Sequence, residues 1–120
     1  MRLFRRKPKS LNVEHFTERW MALQHYCSSR KSWPQAIIEA DNLVNDALKR
    51  ARYKGKTMGE RLVAAQKTLT SNETVWLGHK LRSRLEQPEV DVRKLKKKDM
   101  VTALSGFRQA LRDLGALKRD

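Results

Sequence analysis

The chain has 120 residues, 39% apolar and 33% charged, and 27 Lys and Arg against 13 Asp and Glu give a formal charge of +14. That length suits one core and not two, and five Gly with three Pro are too few for a sandwich or barrel that must turn every few residues. The surplus of cations points to a polyanionic partner, nucleic acid before an anionic membrane.

The basic opening MRLFRRKPKS, residues 1–10, carries five cations and no acid and reads as a flexible tail ahead of a single domain over residues 11–117. It leads into an amphipathic segment and not an apolar one, so it is no secretory signal. A first helix is expected from Leu11 to Ser29, with Val13, Phe16, Trp20, Leu23 and Cys27 on one face at spacings of three and four. Cys27 has no second cysteine to pair with, which suits a reducing compartment. Its place on the stripe marks a core thiol and not a nucleophile.

Ser32-Trp33-Pro34-Gln35 predicts the start of a second helix, with Ser32 as cap, Gln35 returning the bond and Pro34 in the first turn. Trp33, Ile37, Ala40, Val44, Leu48 and Ala51 form its stripe, broadened by Ala36, Leu43 and Ala47. Thr57-Met58-Gly59-Glu60 is a second capping box and opens a short helix through Leu69, with Leu62, Ala65 and Leu69 inward. Thr70-Ser71-Asn72-Glu73 repeats the pattern before a fourth helix that runs to Pro88, with Leu77, Leu81 and Leu85 in one row. A fifth helix covers Lys96 to Leu114 on Val101, Leu104, Phe107, Leu111 and Leu114, and Gly115 is placed to end it in a left-handed conformation. No segment alternates with period two for long, so the expected fold is an all-α, five-helix antiparallel bundle. No apolar run approaches the roughly 18 residues of a membrane span, and the expected compartment is the cytoplasm.

Catalytic chemistry is thinly represented. His15, His25 and His79 lack metal-ligand spacing, and no phosphate loop, nucleophile elbow or HExxH pattern occurs, so no catalytic residue, metal or cofactor is assigned. Asp41 and Asp46, five apart, do not share a face as an acid/base pair would. Cations are better organised. Lys49, Arg50, Arg52, Lys54 and Lys56 crowd the end of the second helix, where they also complement its dipole. Lys80, Arg82 and Arg84 line the fourth helix, and Arg93, Lys94, Lys96, Lys97 and Lys98 follow it. The last three stand where the fifth helix begins, and positive charge there opposes the macrodipole.

The order Trp33 to Asp41, then Gly55 to Leu62, then Trp76 to Arg84, with Leu114-Gly115-Ala116-Leu117 at the end, resembles a small, mostly uncharacterised bacterial family of HEPN-like helical bundles over about residues 12 to 117. Ribonucleases of HEPN type carry Arg-Asn-x-x-x-His on this helix and join two copies to make a metal-independent RNA-cleaving site. By that resemblance Arg82 stands at the arginine position, Ser83 replaces the asparagine and Gln87 replaces the histidine. Glutamine cannot take up a proton near neutral pH, so the motif is degenerate. The expectation is a non-catalytic HEPN-like domain binding nucleic acid, RNA in particular, through phosphate contacts at Lys80, Arg82, Arg84, Arg93, Lys94, Lys96, Lys97 and Lys98. The alternatives are a protein-interaction or homodimerisation module with an acidic partner, an active HEPN-type ribonuclease, and a peripheral membrane role for the tail.

Overall fold

The computed structural model describes residues 10–119; the basic segment 1–9 lies outside them. Helix α1 (Val13–Leu23) opens on Asn12, whose side chain accepts the His15 backbone N–H at 3.1 Å. The chain then tightens into two 3-10 turns, Gln24–Ser28 and Arg30–Ser32, where the sequence predicts α-helix as far as Ser29. Helices α2 (Trp33–Arg50), α3 (Met58–Ala64), α4 (Asn72–Leu85) and α5 (Lys97–Asp113) follow, and no strand occurs among the described residues. Among the described residues the fold is all-α with five α-helices, as expected.

Helix α2 is the centre of the bundle and packs against the other four. Ala36, Ile37, Ala40, Leu43, Val44, Ala47 and Leu48 are all buried, a broad stripe in which the alanines let neighbouring helices approach. Each large aliphatic side chain removed from water there contributes about 1.5–3 kcal/mol. Phe16 and Leu23 reach this core from α1, Leu62 from α3 and Phe107 and Leu111 from α5. Trp33 and Leu104, expected in the core, are half-buried at its margin.

One of the three expected caps forms a reciprocal box. Thr57 Oγ1 accepts the Glu60 N–H at 3.1 Å, and the Glu60 carboxylate accepts the Lys56 N–H at 2.9 Å, one residue upstream of the usual return. Ser32 instead donates to the Tyr26 and Ser29 carbonyls at 2.8 and 3.0 Å, and Gln35 donates to Glu39, so α2 starts without a side-chain cap. Thr70 gives both its N–H and its hydroxyl to Asp113 on α5 at 2.8 Å. For Ser32 and Gln35 other nearby acceptors replace the cap, whereas for Thr70 the acceptor lies 43 residues away.

The core faces of α4 and α5 are also rotated from the expected rows. Leu77 is 40% and Val101 55% exposed, while Val75, Gly78 and Leu81 on α4 and Met100, Ala103, Phe107 and Ala110 on α5 face inward. The reason is close helix approach. A Cβ on Gly106 would stand 2.7 Å from the Thr74 backbone, and one on Gly78 would stand 2.6 Å from the Phe107 ring. The smallest residues face the neighbour, and the larger aliphatics beside them turn outward. Gly115 does take a left-handed conformation, φ 81°, with Ala116 N–H to Leu111 O at 2.8 Å and Gly115 N–H to Arg112 O at 3.0 Å closing a Schellman turn.

Candidate nucleic-acid interface

Helix α4 ends at Leu85, short of the expected Pro88, and that shortening separates the three motif positions. Arg82 points inward between α4 and α2. Its Nη1 donates to Asp41 Oδ2 at 2.8 Å and Asn42 Oδ1 at 2.9 Å, its Nε to Glu86 Oε1 at 2.6 Å and its Nη2 to Glu86 Oε2 at 3.2 Å. Burial works against the Arg82 cation, and the bonds to Glu86 and Asp41 outweigh it, so its pKa lies above the ordinary arginine value. Ser83 is exposed and returns its hydroxyl to the His79 carbonyl at 3.2 Å. Gln87 lies past the helix in a turn, its N–H bonded to Arg84 O at 3.1 Å.

The acceptor that gathers this network is Asp41. Its side chain is fully buried, and His79 Nδ1 lies 3.0 Å from its Oδ1 while Arg82 holds its Oδ2. A buried carboxylate is tolerated only when donors replace its lost water, and two half-buried side chains on one face of α4, the His79 imidazole and the Arg82 guanidinium, meet it. His79, one turn before Arg82, is half-buried, and Trp76 packs edge-on against it at 6.0 Å between ring centroids. Asp46 faces elsewhere, pairing with Arg19 at 2.5 Å and Arg50 at 3.4 Å, so the two carboxylates do not form one site.

The remaining cations assigned from sequence are exposed. Lys80 and Arg84 line an open groove of about 620 Å³ along α4 with Trp76, Leu77, Leu81 and two acids, Glu73 and Asp99. Asp99 follows Lys98 directly, so this groove runs to the start of α5. Arg93 wraps back on Asp91 through Nε at 3.1 Å and its own N–H at 3.0 Å, which lowers the Asp91 carboxyl and raises the guanidinium. Lys94, Lys96, Lys97 and Lys98 extend from the same segment into solvent.

Two further cations join them through a contact across the chain. Arg30 Nη1 donates to the Leu95 carbonyl at 3.2 Å, 65 residues away, and its guanidinium lies 4.7 Å from the centre of the Trp33 ring. The indole is fixed in turn by its N–H to the Cys27 carbonyl at 3.0 Å. Cys27 is half-buried, and burial pushes its thiol pKa up, away from nucleophilic use. Arg30 and its neighbour Lys31 thus stand at the end of the bundle that carries residues 93–98. The Lys49 to Lys56 cluster sits beyond the opposite end of α2, roughly 27 Å away at 1.5 Å per residue.

Sequence reasoning missed Asp41 as an acceptor and Arg30 as part of the basic face. Asp41 had a signal: it shares the apolar stripe with Ile37, Val44 and Leu48, where a carboxylate demands a cation. Arg30 had none, because nothing local ties it to Leu95. Among the described residues no group of His, Cys, Asp and Glu is arranged to hold a metal ion, and no helix is long and apolar enough to cross a membrane. Comparison with protein-family models, with curated proteins and with solved structures gives no match.

Proposed function

We propose that this is a non-catalytic, HEPN-like basic domain of the cytoplasm that binds RNA through its phosphate backbone. The observation that carries the reading is the Arg30–Leu95 contact, which draws Arg30 and Lys31 to the segment holding Lys94, Lys96, Lys97 and Lys98. Flexible, hydrated lysines around the start of α5 suit a backbone whose charge is regular and whose sequence varies. Arg84 and Lys80 extend the face along α4. Arg82 is committed to Asp41, Asn42 and Glu86, and Gln87 lies off the helix and cannot titrate, which together argue against an RNA-cleaving centre of HEPN type.

Affinity for unrelated single strands is expected to fall with salt at a logarithmic slope of about −0.7 per phosphate contacted, so that four contacts give about −3. Fluorescence anisotropy from low to near-physiological salt measures it. Reversing Lys96, Lys97 and Lys98 to Glu should weaken all sequences alike and flatten the slope. Undetectable binding at low salt removes the proposal. A second reading, self-association or protein docking through α4 and α5, draws on the exposed Leu77 and Val101. Sedimentation of the wild type beside Leu77→Glu and Val101→Glu tests it, and a monomer at every concentration rules out the homodimer.

A further inference from the structure

Lysines explain attraction to a backbone and leave the Arg30–Trp33 pair without a task. Resting on the backbone reading above, we propose that this pair is a stacking platform for one unpaired base, so that the site takes single-stranded in preference to double-stranded RNA. Three contacts make it rigid in advance of binding. The indole N–H is held by the Cys27 carbonyl at 3.0 Å, the guanidinium covers the ring at 4.7 Å, and its Nη1 is anchored on the Leu95 carbonyl at 3.2 Å. Arg30 is exposed while Trp33 is half-buried, so the guanidinium held over the indole belongs to a residue open to solvent and within reach of a ligand.

A guanidinium plane fixed on an aromatic ring is a surface on which a base stacks with little ordering cost. Its position completes the argument. Leu95 is flanked by Lys94 and Lys96, each one Cα step of about 3.8 Å away, so cations for the adjoining phosphates stand on both sides of the anchor. A paired base cannot reach the platform without leaving its stack, which would cost duplex RNA the contact. Any base can use the surface, because every base has a π face.

The test compares a short oligouridine strand with an abasic strand of the same length and charge, both fluorescently labelled, at one low salt concentration. Wild-type protein should bind the oligouridine about tenfold more tightly, within the range measured for a single stacked base. Arg30→Lys keeps the charge and loses the plane; it should erase that preference and leave the salt slope unchanged, with circular dichroism confirming the fold. Equal binding of both strands by wild-type protein overturns the platform while the backbone reading stands. Binding of neither strand overturns both. A preference retained in Arg30→Lys places the stacking elsewhere and overturns the assignment to this pair.

Discussion

Asp41 shows how one residue can fix the relation of two helices. Its carboxylate is fully buried on α2 and saturated by donors from α4, so removing one partner leaves charge without compensation. Arg82→Ala should cost about 3 kcal/mol in urea unfolding. Combining Asp41→Leu with Arg82→Met should recover much of that loss, since a packed apolar pair avoids the desolvation of both ions. A double variant as unstable as Arg82→Ala would show that Asn42 and Glu86 carry the stabilisation. Two residues with positive φ give a matched test. Arg52, φ 70°, ends α2 with Tyr53 N–H to Leu48 O at 3.0 Å, the same Schellman geometry that Gly115 provides for α5. Arg52→Gly should stabilise and Gly115→Ala destabilise, each by about 1 kcal/mol, as the balance of left-handed strain against glycine entropy. A Cβ on Gly115 meets nothing within 4 Å, so any loss there reports conformation and not packing. Thermal unfolding of both variants reads the two signs directly.

Between elements, the tightest joint is α4 against α5. Gly106→Ala would push a Cβ to 2.7 Å from the Thr74 backbone, which cannot move without shifting the whole of α4. The expected loss is about 2 kcal/mol, typical of overpacking where the neighbour cannot yield. Gly59→Ala is the control. Its Cβ would lie 3.3 Å from the Trp76 ring edge, a side chain with room to tilt, and the loss should be smaller. Denaturant midpoints compare the two, and equal losses would mean that the helix pair breathes more than its spacing suggests. Asp113 secures the same end of this joint, accepting Thr70 at 2.8 Å and Gln109 at 3.0 Å and fixing the entry to α4.

For the whole molecule, charge and stability pull apart at the start of α5. Lys97 and Lys98 occupy its first turn, where a cation opposes the helix dipole and Asp99 alone offsets it. Reversing both lysines to Glu should raise stability by a few tenths of a kcal/mol per site while weakening RNA. That opposition separates the proposal from a purely structural account of the cluster. Lower stability together with unchanged binding would count against a nucleic-acid role for these lysines. Anisotropy and thermal melts on the same samples provide both readings.

The local rules were sufficient for what depends on local sequence. Spacings of three and four located five helices and the burial of Phe16, Ile37, Leu62, Leu81 and Phe107, and Gly115 announced its own left-handed turn. Such features arise within a few residues, from the helical period and from the conformations a side chain permits. What faces what was settled elsewhere. Gly78 and Gly106 let α4 and α5 close up, and that approach turned Val101 outward, a consequence invisible in either helix alone. Thr70 abandoned its local cap because Asp113 offered a buried acceptor for both donors. Arg82 could equally have met a phosphate or an acid; the choice was made when α2 brought Asp41 within 2.8 Å. The joining of Arg30 to Leu95 belongs to the same class, since a bond between residues 65 apart exists only once the helices between them have packed.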